Sequence, residues 1–141
     1  MNTSRGKRLV SDFTQALNAQ DGITVSRTTI SSNIFAFNGK GNCLLYVKGR
    51  AEHPYRWGVT ANVIDRLHDQ PKSWMVILLF ESHEKGYLLN SKDVEHYIHQ
   101  QVWPLGEDGD YKPASGSYLS RNVAIYSIQD FIKEIEMNST V

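Results

Sequence analysis

Between Arg5 and Gln20 the apolar residues Leu9, Val10, Phe13, Ala16 and Leu17 recur at intervals of three and four, with Arg8, Ser11, Asp12 and Gln15 between them. That spacing predicts an amphipathic helix with one buried stripe. Asp21-Gly22 supplies a stop and a turn. Thr, Val, Ile and Phe then accumulate, and two strands are expected, Ile23 to Thr29 and Asn33 to Phe37. Asn38-Gly39-Lys40-Gly41-Asn42 is a hairpin turn signal, and Cys43 to Lys48 is the returning strand.

A polar, aromatic connection from Gly49 to Gly58 leads to Thr60, which is placed to cap a helix reaching Gln70. Val63, Ile64 and Leu67 form its apolar stripe and Pro71 closes it. Trp74 to Phe80 is an unbroken apolar run, the pattern of a central strand covered on both faces. His83 to Gly86 reads as a turn, Gly86 to Leu89 as a strand, and Ser91 to Gln100 as a helix with Val94, Tyr97 and Ile98 inward. Trp103 to Ser117 carries Pro104, Gly106, Gly109, Pro113 and Gly116 and is expected to be a surface loop. Ser117 to Ile125 is expected to add a last short strand. Ser127 then caps a helix through Met137 that buries Ile128, Phe131, Ile132 and Ile135. This order predicts an α/β fold with a central mixed β-sheet flanked by helices.

With 141 residues the chain is expected to form a single domain, 1–141, large enough to bury a core. A 40% hydrophobic fraction separates it from disordered chains and from membrane proteins. The run Trp74 to Phe80 is too short to span a bilayer, so no membrane association is expected. No apolar stretch follows the basic N-terminal residues, which argues against a secretory signal. A lone cysteine, Cys43, has no internal disulfide partner, and a cytoplasmic location is expected.

Lysine and arginine total 15 and aspartate and glutamate 15, a balance that weakens the case for nonspecific polyanion binding. The charges are nevertheless clustered. Arg5, Lys7 and Arg8 stand without an intervening anion, and Lys48, Arg50 and Arg56 face one carboxylate, Glu52.

Within the hairpin, Tyr46-Val47-Lys48 places Tyr46 and Lys48 on one face of a strand, because residues two apart point the same way. Asn33 stands at the start of the preceding strand. With the order helix, three strands, helix and buried strand, over residues 5 to 90, this pattern resembles the PD-(D/E)xK nuclease superfamily. That superfamily includes many restriction endonucleases and archaeal Holliday-junction resolvases. The resemblance implies a restriction endonuclease-like αβββαβ core. It also implies a site in which the carboxylates of an Asp on the second strand and of the Glu in Glu-x-Lys on the third hold Mg²⁺, which polarises a phosphate and activates water, while the Lys orients that water or stabilises charge on the phosphate. Lys48 matches the motif lysine. Asn33 and Tyr46 occupy the acidic positions, and neither supplies the hard anionic oxygen that Mg²⁺ requires, so both are expected to be non-catalytic. The implied site is degenerate.

Other carboxylates offered as replacements are Glu52 and Asp65, with Asp12 and Glu81 also considered. Cations interleaved with aromatics after Lys48 suit phosphate contact and base stacking, which nominates Lys48, Arg50, His53 and Arg56 as a nucleic-acid surface. Trp57 is expected to anchor that loop. The five histidines are scattered, with His96 and His99 three apart, and predict no zinc site. No metal ligand set or resident cofactor is assigned, Mg²⁺ being implied only if catalysis survives. Cys43 reads as a core residue, Glu107-Asp108-Gly109-Asp110 as a solvated acidic turn, and Ser115-Gly116-Ser117 as no nucleotide loop.

Three functions follow. The first is a nuclease-like domain with a degenerate metal site that binds DNA or RNA or serves assembly. The second is a divergent Mg²⁺-dependent endonuclease with relocated carboxylates. The third is an accessory scaffold whose partner is a protein or a second copy of the chain.

Overall fold

The first apolar stripe folds as α1 (Thr3–Asn18) and buries Leu9, Val10, Phe13 and Leu17 in a computed structural model that describes residues 3–139. The helix stops at Asn18, and Gly22 takes φ +79° in the turn that follows. The Asn18 carboxamide accepts from the Val25 N–H at 2.6 Å and donates to the Val25 carbonyl at 2.9 Å. Val25 lies in β1 (Thr24–Arg27), an outer strand of the main sheet, so Asn18 satisfies backbone groups that an open edge would leave bare.

Two strands form the predicted hairpin, β2 (Ile34–Asn38) and β3 (Asn42–Arg50), with Ile34 opposite Tyr46 and Phe37 opposite Cys43. The chain then passes through a two-residue strand, β4 (Val59–Thr60), and α2 (Ala61–His68), and returns as β5 (Trp74–Phe80) parallel to β3. An antiparallel strand, β6 (Gly86–Asn90), completes the order β1-β2-β3-β5-β6. α3 (Ser91–His99) starts at Asn90, whose side chain accepts from the Asp93 N–H while Asp93 accepts from the Asn90 N–H. α4 (Ile128–Met137) is capped by Ser127, as expected.

Helices cover both faces of the sheet. On one face α1 and α4 pack over Phe37, Leu45, Val47 and Ile77, where Phe13 meets Phe131 edge to face at 5.1 Å. On the other, α2 and α3 pack over Ile34, Tyr46, Val76 and Leu78. β5 contributes to both cores, as its unbroken apolar run requires. The protein is therefore a mixed α/β fold with a five-stranded mixed sheet. No helix among the described residues is long and apolar enough to cross a membrane.

Three expectations change. Thr60 occupies the N-cap of α2, but its side chain makes no cap hydrogen bond, and the helix ends at His68 rather than Gln70. The segment from Ser117 to Ile125 is not a strand. It forms a short 3-10 turn at Ser117–Leu119 and touches the sheet through one bridge, Ile125 to Gly86. Local groups there are taken by side chains instead of a ladder: the Arg121 N–H donates to the Tyr97 hydroxyl, which donates to Asn122 Oδ1. Finally, the loop after Trp103 contains β7 (Asp110–Tyr111), which pairs antiparallel with β4 and brings Asp110 opposite Thr60.

Candidate functional site

β3 runs out at the carboxyl end of its parallel pairing with β5, where Lys48 lies beside Leu78 and Arg50 beside Phe80. Alternation puts Tyr46, Lys48 and Arg50 on the face covered by α2 and α3. The carboxyl ends of parallel strands are where open α/β sheets leave a crevice for ligands.

Tyr46 is buried, and its hydroxyl accepts from the Thr60 N–H at 3.1 Å. Burial pushes the phenol pKa up, so this residue at a motif acidic position stays neutral. Lys48 is half-buried. Burial pushes its ammonium pKa down; Asp110 opposes that shift and Lys7 of α1 adds to it. Asp110 is the carboxylate whose charge acts on Lys48. It arrives through the β4–β7 pairing and lies against Gly58, where an added Cβ would stand 2.7 Å from its Oδ2. The absence of a side chain at Gly58 leaves room for that carboxylate.

Asp110 was expected in a solvated acidic turn. The description suits Asp108, which is exposed and bonded to Lys112 at 2.5 Å, but not its half-buried neighbour two residues on. Two strands of two residues each leave almost no period to read, so the sequence signal for Asp110 was close to nil.

Asn33 precedes β2 and sits across from Val47. Its carbonyl accepts from the Val47 N–H at 3.0 Å, and its Nδ2 donates to the Val47 carbonyl at 2.8 Å. The next residue, Ile34, shares a face with Tyr46, so Asn33 belongs to the opposite, α1-covered face. Asn33 lines a cleft of about 500 Å³ there with Lys7, Ser11 and Arg27. The three residues matched to the motif do not converge: Tyr46 and Lys48 lie together, and Asn33 lies behind the sheet.

The carboxylates nominated as replacements are spread out. Glu52 is exposed and ion-paired with Arg5. Asp65 is exposed on α2, and Asp12 lies on α1, behind the sheet from Lys48. Glu81 follows β5 with φ +67°, accepts from the Tyr55 hydroxyl at 3.1 Å and pairs with Lys85. Lys85, and after it the Tyr55 hydroxyl, hold its carboxyl below the usual range. Among the described residues, no three His, Cys, Asp or Glu side chains gather to hold a metal ion. A Mg²⁺ site of the nuclease type needs converging anionic oxygens, and here Tyr46 is neutral, Asp110 acts on it and on Lys48 only through its charge, and Asn33 is spent on backbone. The residues present do not fit that group.

The cationic positions are better assembled. Arg50 shares the Lys48 face, and its Nε donates to the Glu52 carbonyl at 3.2 Å. His53 and Arg56 are exposed in the following connection, and Arg56 bridges Ala114 in the loop that also carries Asp110. Trp57 anchors this connection: it is buried, and its indole N–H donates to the Leu79 carbonyl at 2.8 Å. The Arg5–Glu52 pair ties the first turns of α1 to the same rim, and Lys7 acts on Lys48 from there. The two basic segments are separate in sequence; the fold puts Arg5 on Glu52 and Lys7 in the field of Lys48. Protein-family models, characterised proteins and solved structures were compared with the chain, and none matches it.

Proposed function

We propose that this chain is a nuclease-like domain of the αβββαβ kind whose metal site is degenerate and which binds nucleic acid at the carboxyl rim of β3 and β5. The observation that carries the reading is Lys48, half-buried at the end of the parallel pair with Arg50 on its face and Lys7 in its field. Burial disfavours the ammonium and one carboxylate offsets that only in part, so an anionic ligand would complete the site. The order of α1, three antiparallel strands, α2 and a parallel β5 supports the kinship with nucleases. Phosphate contact requires the cations and no converging carboxylates, which is the balance found at this rim.

The test is fluorescence anisotropy with labelled DNA and RNA at rising salt. Lys48→Ala and Arg56→Ala are expected to weaken binding at low salt, and wild-type affinity is expected to fall steeply as salt rises. Salt-independent binding, or no binding to either polymer, overturns the reading. Incubation of supercoiled plasmid, branched DNA and RNA with Mg²⁺ or Mn²⁺ is expected to leave them intact; cleavage that Lys48→Ala abolishes overturns the loss of activity.

A further inference from the structure

Beside the cations, the same rim carries a chain of aromatic rings whose middle members, Tyr55, Phe80 and Tyr87, pack against the core. His53 meets Tyr55 edge to face at 5.4 Å, Tyr55 meets Phe80 at 5.0 Å, and Phe80 meets Tyr126 at 6.4 Å. Tyr87 flanks Phe80 at 5.7 Å. The register explains the row: Arg50 and Phe80 are cross-strand partners, and Tyr87 lies beside Leu78, the partner of Lys48. The strip therefore starts at the cations on β3 and crosses β5 and β6.

Its two ends are the exposed ones. His53 is exposed, and Tyr126 keeps 63% of its surface in water although the Phe80 ring lies 6.4 Å away. Tyr126 is not on a loose tip. Its neighbour Ile125 exchanges two backbone hydrogen bonds with Gly86, at 2.7 and 2.9 Å, which fixes the loop against β6. A wet aromatic ring held in place beside half-buried ones is a platform lacking its top layer. Arg50 stands opposite Phe80 and Arg56 follows Tyr55 in the chain, while Glu81, on the Tyr55 hydroxyl, is paired with Lys85, so what covers the strip carries negative charge as well as flat apolar surface.

Unpaired nucleotides have both properties. In a duplex the base faces are already stacked on one another, whereas in a single strand they are free to lie on aromatic side chains while the backbone follows the cations. We propose that the rim takes a single-stranded segment of DNA or RNA, with a base stacked on Tyr126 and the adjoining phosphates toward Arg50 and Arg56. This deepens the nucleic-acid reading above and rests on it.

Three labelled ligands separate the claims: a single strand of about 16 nucleotides, the duplex of the same sequence, and an abasic strand of the same length. The full chain is expected to bind the single strand at least about fivefold more tightly than the other two. Tyr126→Ala is expected to lose about fivefold on the single strand while leaving duplex and abasic binding unchanged. Tyr126→Phe, which keeps the ring, is expected to retain wild-type affinity. Arg56→Ala is expected to weaken all three ligands by similar factors, because each carries phosphates. If Tyr126→Ala leaves single-strand affinity unchanged, or lowers all three equally, the stacking proposal falls and the nucleic-acid reading stands. If none of the three ligands binds, both fall. Tyr126 is exposed, so its substitution leaves the core intact.

Discussion

Gly6 and Gly49 touch backbone to backbone where α1 crosses β3. A Cβ built on Gly6 would stand 2.6 Å from the Gly49 carbonyl oxygen, and one built on Gly49 would stand 2.5 Å from the Gly6 carbonyl oxygen. Neither obstacle is a side chain able to swing away. In an unhindered helix interior, replacing glycine by alanine stabilises by about 1 kcal/mol. At this crossing, Gly6→Ala and Gly49→Ala are each expected to destabilise by about 1–3 kcal/mol, because α1 must lift from the sheet. The double variant is expected to lose less than the sum, since the first methyl already opens the gap that the second needs. Urea unfolding followed by circular dichroism measures all three.

Cys43 is fully buried in β3, and burial pushes its thiol pKa up to about 11. The thiolate is the reactive species, so the folded protein should resist alkylation and disulfide exchange at neutral pH. Labelling by a thiol reagent is expected to be slow in buffer and to reach the rate of a free cysteine only through the unfolding transition. Fast labelling of the native protein would show that β3 opens locally.

Much of the scaffold was legible because its signals are local. The stripe from Leu9 to Leu17 and the run from Trp74 to Phe80 each specify an element and its covered faces without reference to the rest of the chain. The candidate site was legible only in part. Tyr46 and Lys48 share a face by strand geometry alone, but the face of Asn33 depends on the register of the hairpin. Pairing Ile34 with Tyr46 turns Asn33 to the far side, and a shift of one residue would have reversed it. Asp110 comes into the field of Lys48 through a ladder of two residues joining segments far apart in sequence, and such pairings leave no periodic trace. Between Ser117 and Ile125, β-compatible residues were outweighed by the hydrogen bonds that Asn122 makes with Tyr97, Leu88 and Asp93.

Tyr46 holds the start of α2 in place rather than replacing a metal ligand. Its hydroxyl accepts from the Thr60 N–H at 3.1 Å, one residue before the helix begins. Tyr46→Phe keeps the ring and strands that donor, which is expected to cost about 1–3 kcal/mol of stability. Affinity for nucleic acid is expected to change little at temperatures where the variant is folded, since the phenol is buried. Thermal unfolding and anisotropy on the same preparation separate the two effects. A loss of affinity with unchanged stability would assign the hydroxyl to the binding surface.

Lys48 is expected to trade stability for function. Burial lowers its ammonium pKa from the ordinary 10.5, so the folded state holds this proton less tightly than the unfolded chain does. Below the lowered pKa the ammonium is charged in both states and its full desolvation penalty opposes folding. As pH rises from that pKa toward 10.5 the penalty fades, and above 10.5 the amine is neutral in both states and the penalty is gone. Lys48→Met keeps the apolar stem and removes the charge. The variant is therefore expected to be more stable than wild type at neutral pH, with the difference shrinking through the alkaline window and vanishing above it. Groups that do not interact with Lys48 titrate alike in both proteins and cancel in that difference. The proposed function further implies that the same variant binds nucleic acid more weakly at low salt, because on that reading the charge that opposes folding is the one offered to phosphate. Urea midpoints across pH and anisotropy at neutral pH test the two halves, and a Lys48→Met protein that is less stable at neutral pH would refute the first.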